Sequence, residues 1–430
     1  MTEQQQRAGD RGGSVGQWGV CGILLLATML NYMDRMALNN MSVRITEELG
    51  LTQERYGDLE FAFGLAFAAG SLCFGILADR LSIRWLYPAV VVAWSLVGLL
   101  TGFAEGFWQM LACRTLLGFF EAGHWPCALR TTQALLAPER RMFGNSLLQS
   151  GGAIGAIVTP LVILALVGNS QVPGAWRLPF IVIGACGAVW VVAWLLLMGR
   201  EPGLTGGTDR GGTETAGFAA WWEACLGNRR FWALVPFVIG INLTWHLARA
   251  WLPKFLQQGR GVSETESLLF NSGYYVAADA GCIAAGAAGV WLAHRGLSQF
   301  GARSLVAAVC SLCVGAATMA AVALQGAWMY AALLVVGAGA LGLFPCYYSL
   351  AQDVSPRHTG KATGLLAALG WIVCSPFQKQ FGKLIDRTGS FDLGFTLAAW
   401  VPAIAVCAFL VIWPRERRPA VLGERTHEPR

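Results

Sequence analysis

Residues Arg114 to Arg130 read RTLLGFFEAGHWPCALR, inside an apolar run that begins near Phe107 and is long enough to cross a bilayer. Arg114, Glu121 and His124 nevertheless sit in its interior. Arg114 and Glu121 are two helical turns apart and project from nearly one face. A charge at membrane depth costs roughly 2.5–3.5 kcal/mol, so a polar cavity or partners must meet that face. Gly118 and Gly123 keep the backbone slim, and Pro126 is expected to kink the exit. The stretch reads as a helix lining a substrate path.

The rest of the chain has the same character. It is 55% hydrophobic and 13% charged, against about 25% charged in soluble domains. Apolar runs lie near 17–43, 57–78, 86–103, 107–130, 144–167, 178–199, 231–252, 268–292, 302–323, 327–351, 361–383 and 393–413. Twelve such runs predict an all-α, polytopic membrane protein. The polar head and the long, charged first run do not form a cleavable signal peptide. The twelve cysteines lack metal-ligand spacing, and Cys21, Cys73, Cys113, Cys310, Cys313 and Cys407 lie within apolar runs, where Cys is a small hydrophobe. Nothing calls for a metal or cofactor.

The net charge of +6 is not spread as a nucleic-acid face would be. About twenty Lys and Arg fall in alternate loops and tails (Arg80 and Arg84; Arg140 and Arg141; Arg229 and Arg230; Arg295 and Arg303; Arg357 and Lys361; Arg415, Arg417 and Arg418), against about seven on the other side. That is the positive-inside pattern, with both termini cytoplasmic. Nucleic acid is excluded as a partner; the bilayer is the partner.

The first run contains NYMDRM, Asn31 to Met36. Adjacent Asp34 and Arg35 point about 100° apart, so each needs its own partner or water. Counting from the outer end, both are expected at the depth of Arg114, with Glu121 about 10 Å deeper. A structural ion-pair cluster is one reading; so many intramembrane charges favour function. After the second run comes GILADRLSIRW, Gly75 to Trp85. Asp79, Arg80 and Arg84 there either form a gating latch against a helix-end dipole or serve only as topogenic charge.

The pattern then repeats. NLTWHLARAWLPKFLQQGRGVSETE from Asn242 aligns without gaps on NYMDRMALNNMSVRITEELGLTQER from Asn31, and GVWLAHRGLSQFGAR from Gly289 echoes the Gly75 loop. Two six-helix halves, 1–199 and 231–430, are expected, joined by a linker over 200–230. The linker is Gly/Thr/Pro-rich before a short interfacial helix carrying Trp221 and Trp222. In the second half Trp245-His246 answers Asp34-Arg35, and Arg249 follows. Tyr347, Tyr348, Gln352, Trp371, Gln378 and Lys379 add polar and aromatic groups that either face a cavity or anchor at the interface. Candidate substrate contacts are Tyr32, Arg35, Arg114, His124, Gln149, His246, Arg249, Trp371, Gln378 and Lys379.

Two repeats of six spans, the GILADRLSIR loop and Pro138-Glu-Arg-Arg after the fourth span resemble the major facilitator superfamily over essentially the whole chain. Asn31-Tyr-Met-Asp-Arg35 and Arg114-Thr-Leu-Leu-Gly-Phe-Phe-Glu-Ala122 are similar to its anion:cation symporter branch, and Gly123-His-Trp-Pro to hexuronate-transporter-like bacterial sequences. The resemblance implies that Asp34 and Glu121 match the family's protonatable acids, that Arg35 and Arg114 match its substrate-carboxylate and coupling arginines, and that Tyr32 matches a cavity tyrosine. Ser82 stands where glycine is usual in the loop, and His294 replaces the acid of its second-half echo.

The expectation is a monomeric, proton-coupled symporter of a small organic anion, with a hexuronate or related sugar acid as substrate, in the bacterial inner (plasma) membrane. Na+ is the alternative coupling ion. Rival readings are an uncoupled facilitator or antiporter, and a transporter-like sensor that binds without moving its ligand. An intramembrane enzyme would need a nucleophile–base or metal motif inside the apolar runs; HExxH is absent, and the GxSxG pattern occurs at Gly12-Gly-Ser-Val-Gly16 in the polar head, outside those runs.

Overall fold

A computed structural model describes residues 17–136, 138–168, 170, 172–198, 204, 227–352 and 359–414; it leaves aside the side chains of 17, 18, 79, 138–146, 352 and 359–363. Among these residues every regular element is a helix. The first six passes are α1 (Gln17–Asn40), continued by short α2 (Ser42–Glu48), then α3 (Gln53–Arg80), α4 (Ile83–Thr101), the broken pair α5 (Phe107–Glu121) and α6 (His124–Leu135), α7 (Pro138–Val167) and α8 (Arg177–Met198). The second six are α9 (Arg229–Lys254, extended by a π turn at Phe255–Gly259), α10 (Glu264–His294), α11 (Gln299–Ala323), α12 (Gly326–Gln352), α13 (Thr359–Thr388) and the broken pair α14 (Phe391–Ala399) and α15 (Val401–Ile412).

Ten of the described passes are long and apolar enough to cross a membrane. The other two are the broken fourth and α13, whose last turns carry Gln378, Lys379, Lys383, Asp386 and Arg387. The break in the fourth pass falls at Ala122–Gly123, earlier than the Pro126 kink expected from sequence. The reason is local. Proline has no N–H for the carbonyl four residues back, and its ring crowds that carbonyl, which belongs to Ala122.

The internal repeat shows in backbone detail. Gly50 and Gly261, aligned in the sequence, have φ of 60° and 67°, the left-handed region that glycine enters without steric cost. Two residues later Thr52 and Ser263 cap the next helix, accepting from the N–H of Arg55 and Glu266. The same chemistry turns the chain at the same point of each half. The linker helix around Trp221 and Trp222 lies outside the described residues.

Two seams join the halves: α3 against α13, and α7 against α10. The first is tight because glycines face backbone. A methyl group at Gly57 would lie 2.5 Å from the Gln378 carbonyl oxygen. With an even number of passes, the described chain starts, at Gln17, and ends, after Ile412, at one end of the bundle, the termini end. At the far end the halves are strapped together: Arg44 grips both carboxylate oxygens of Glu264 and donates to the Ser170 carbonyl at 2.7 Å. There too Asp386 accepts from the first N–H groups of α3, Gln53 at 2.9 Å and Glu54 at 2.7 Å. A carboxylate at a helix N-terminus meets both unsatisfied donors and the positive end of the dipole.

Candidate functional site

Between the straps and the termini end lies a buried polar layer. Arg114, Leu117, Gly118 and Glu121 all face inward from α5, so the one-face reading of that stretch holds. Arg114 and Glu121 do not pair with each other. Glu121 Oε2 accepts from Arg35 Nη2 at 2.8 Å and Nε at 3.1 Å. Asn31 steadies the pair, its amide donating to the Glu121 main-chain oxygen at 3.3 Å. Arg35 lies among the rings of Tyr32, Phe63 and Phe67, 5.0–5.3 Å from each centroid. Glu121 is thus opposite Arg35, not 10 Å beyond it. The depth count fails because the first pass does not end at Val43: α2 carries the chain on to Glu48, leaving Arg35 deeper.

The partner of Arg114 is a residue the sequence reading passed over. Glu60 Oε1 accepts from Arg114 Nη2 at 2.7 Å, and Glu60 Oε2 accepts from Arg249 Nη2 at 2.7 Å. Asn39 joins both sides, donating to Glu60 Oε1 at 3.0 Å and accepting from Arg249 Nη1 at 3.0 Å. All three charged side chains are 1–2% exposed. Arg249 therefore belongs to the buried layer and does not snorkel. Glu60 stands near the start of the apolar run at 57–78 and is not among the residues singled out from the sequence. Helix α3 begins at Gln53, which puts Glu60 two turns inside.

Asp34 differs from the other acids. It is 2% exposed, and neither carboxylate oxygen has a hydrogen-bond partner among the described residues. It points toward α4, where the missing side chain of Gly98 makes room; a methyl there would sit 2.7 Å from Asp34 Oδ1. Of the two residues expected to need a partner or water each, Arg35 has one in Glu121 and Asp34 has none among the described residues.

Other candidates divide. His246 stacks on Trp371 with ring centroids 4.0 Å apart, and Trp371 also meets Phe63 and Phe67 of the first half. Tyr32 is part-exposed beside Arg35, and Gln149 is exposed on α7. Gln378 is taken up by the Trp251 indole N–H at 2.8 Å. His124 lies apart from the interface. Its Nε2 meets Thr28 Oγ1 and its Nδ1 meets the Tyr87 hydroxyl, both at 3.0 Å. The Thr28 proton goes to the Leu24 carbonyl, so Nε2 donates and Nδ1 accepts, as a neutral imidazole can. Both ring nitrogens are spent on fold, so His124 is no substrate contact in this conformation. Lys379 is likewise engaged elsewhere, 2.9 Å from Asp58 and 3.7 Å from Glu54 at the far-end strap. Of the expected latch, Arg80 is exposed and Arg84 lies over the Trp85 ring at 5.0 Å; the Asp79 side chain is outside the described residues.

Comparisons with known proteins agree with this architecture. The model of the Major Facilitator Superfamily matches residues 24–377. The chain is 25% identical to the probable L-galactonate transporter of Escherichia coli strain K12, over 91% of this chain and 88% of that one. It is 24% identical to the hexuronate transporter of the same organism, over 96% and 97%. It is 26% identical to the probable sulfoacetate transporter of Cupriavidus necator, over 92% and 93%. Among solved structures, a bacterial homolog of the human lysosomal transporter Spinster, inward-facing and unoccupied, superposes with a TM-score of 0.75 at 18% identity. That superposition covers 92% of this chain and 98% of the other. With the matched family spanning most of its length, the chain belongs to the Major Facilitator Superfamily and is a multi-pass membrane transporter, not an enzyme.

Proposed function

We propose that the protein is a proton-coupled symporter of small organic monoanions, a hexuronate or aldonate by preference, working by alternating access. The sugar-acid relatives support the substrate class. One observation supports the coupling: the charge balance of the buried layer. Three arginines (Arg35, Arg114, Arg249) face two paired carboxylates (Glu60, Glu121), while Asp34 has no partner among the described residues. An isolated carboxylate at membrane depth is costly, and a proton removes that cost. With Asp34 protonated these six side chains carry a single positive charge, which one monoanion neutralises; buried Lys254, bound to Thr46 Oγ1, stands outside that count. With Asp34 ionised the six are already neutral together, and an anion would enter unpaid. Proton and anion are therefore bound together.

Arginine suits the task because its planar fork matches a carboxylate. Exposed Gln149, part-exposed Tyr32 and Trp371 supply the polar and flat surfaces a polyol would meet. Loop charge supports cytoplasmic termini; on that reading the strapped end is the outer one and this conformation faces inward. The halves 1–199 and 231–430 rock about the buried layer, with 200–230 as the connection, in a monomer.

The test is uptake by reconstituted vesicles. D-glucuronate or L-galactonate should accumulate against its gradient when an inward proton gradient is imposed, with Na+ absent. Glucose should not accumulate. Uptake that only equilibrates and ignores the proton gradient would leave a facilitator.

A further inference from the structure

Glu60 does what no other acid among the described residues does: it holds one arginine from each half at once. Arg114 belongs to the first six passes and Arg249 to the second, and each gives Glu60 a single Nη2 contact at 2.7 Å. Both Nε atoms, of Arg114 and of Arg249, are buried with no partner among the described residues. A guanidinium offers its strongest edge when Nε and Nη2 bind one carboxylate together. Arg35 does engage its Nε and Nη2 with Glu121. The Glu60 tether uses only half of that edge on either arginine. Phe63, 4.6 Å below the Arg114 guanidinium, and the His246–Trp371 stack supply flat walls to the same region.

We infer that Glu60 is a tethered stand-in for the substrate's own carboxylate. In the empty transporter it fills the seat between Arg114 and Arg249, and the incoming anion displaces it, taking the Nε edges that Glu60 leaves open. Two buried guanidinium groups cannot lose their counter-charge without heavy cost, so the seat must always hold a carboxylate. Exchange of the internal one for the external one satisfies that condition. It also frees Arg249 from the first half only when an anion is present to replace Glu60. Competition from Glu60 would then set how tightly an anion must bind to be accepted. A plain staple between the halves would behave differently: its removal would loosen the fold, and no added anion would repair the loss.

The inference takes the sugar-acid reading for its substrate, but the seat can be probed without it. Full-length protein in lipid nanodiscs is compared as wild type, Glu60→Ala and Glu60→Gln, with chloride-matched sodium formate, acetate or D-glucuronate. Thermal midpoint and a D-glucuronate binding isotherm are read. Glu60→Ala should melt lower than wild type and regain most of the loss with formate or acetate, which leave wild type unmoved. Glu60→Gln, nearly isosteric and the deciding variant where the alanine form does not fold, should bind D-glucuronate about tenfold tighter, the scale of one recovered charge-assisted hydrogen bond. It should also be stabilised by formate. If no anion raises the midpoint of either variant and neither gains affinity, the stand-in role is wrong. D-glucuronate bound by wild type with no gain in the variants removes the seat and keeps the sugar-acid reading. Formate rescue of the variants with D-glucuronate bound by none keeps the seat and removes that reading.

Discussion

Two arginine–carboxylate systems share one buried layer and are wired oppositely. Arg35 and Glu121 both belong to the first six passes, on α1 and α5, and their contact can persist however the halves rock. Arg114, Glu60 and Arg249 span both halves, so part of that system must break when α9 parts from α3. The first suits a group that is re-poised by protonation while its geometry stays fixed. The second suits a contact made and broken once per cycle. Chemically similar ion pairs take different tasks because of where the seam between halves runs.

The largest effect should follow from removing the arginine that touches the spanning system from the first half. Arg114→Ala strips one side of the carboxylate seat and leaves Glu60 with a single counter-charge. Breaking a buried pair costs about 3–5 kcal/mol, so anion binding should fall by more than about a hundredfold. Arg114→Lys should recover little, because a point charge lacks the fork. A binding isotherm against glucuronate and glucose reads both. Equal affinity for the acid and the neutral sugar would end the anion reading of this site.

Next comes the pair inside one half. Glu121→Gln keeps the shape of the Arg35 contact while removing its charge, as a permanent proton would. Uphill accumulation driven by a proton gradient should drop about tenfold or more, the scale of a lost charge-assisted hydrogen bond. Counterflow exchange in the same vesicles should survive, since exchange does not require the empty carrier to release its proton. Asp34→Asn should lose accumulation in the same way. If both variants still concentrate substrate, the coupling acids are elsewhere, and Glu60 becomes the first to examine.

These tests also mark what the sequence made plain. Twelve passes, the twofold repeat and the inward faces of Arg35, Arg114 and Glu121 were legible because each is a local property: run length, spacing, periodicity. The aligned Gly50–Thr52 and Gly261–Ser263 turns show how far local chemistry carries. Pairing was not legible. Which carboxylate meets which arginine depends on the relative slide of helices far apart in the chain, and one turn of error moves a partner by about 5 Å. That is why Glu60 was missed and Glu121 placed too deep. His124 misled for another reason: a histidine whose nitrogens serve Thr28 and Tyr87 reads, from sequence alone, like one awaiting a ligand.

The far-end seam provides a smaller and purely conformational test of the comparison. Gly57 lets α3 approach the α13 backbone at Gln378, and an added methyl would sit 2.5 Å from that carbonyl oxygen. Gly57→Ala should keep that end from closing fully and shift the resting population toward the opposite opening, without touching either ion-pair system. Labelling of a cysteine placed beside Asp386 should rise several-fold, the response to about 1 kcal/mol of bias. Labelling equal to that of the unsubstituted background would mean the helices slide to accept the methyl.

The smallest effect should come from Lys379. Its position on α13 suggested a substrate contact, yet its ammonium group lies between Asp58 and Glu54, 2.9 and 3.7 Å away, with its side chain 39% exposed. Ion pairs that open to solvent contribute about 0–1 kcal/mol and weaken further in salt. Lys379→Gln should therefore leave glucuronate affinity within about twofold, in contrast to Arg114→Ala. What it should change is the ease with which the far end opens. Turnover at low ionic strength should shift by no more than about fivefold, the factor that 1 kcal/mol sets, and the shift should vanish as salt is raised. Affinity and turnover thus separate the two roles. A large, salt-independent loss of binding would return Lys379 to the substrate site, and would mean that the strap seen here forms in only part of the cycle.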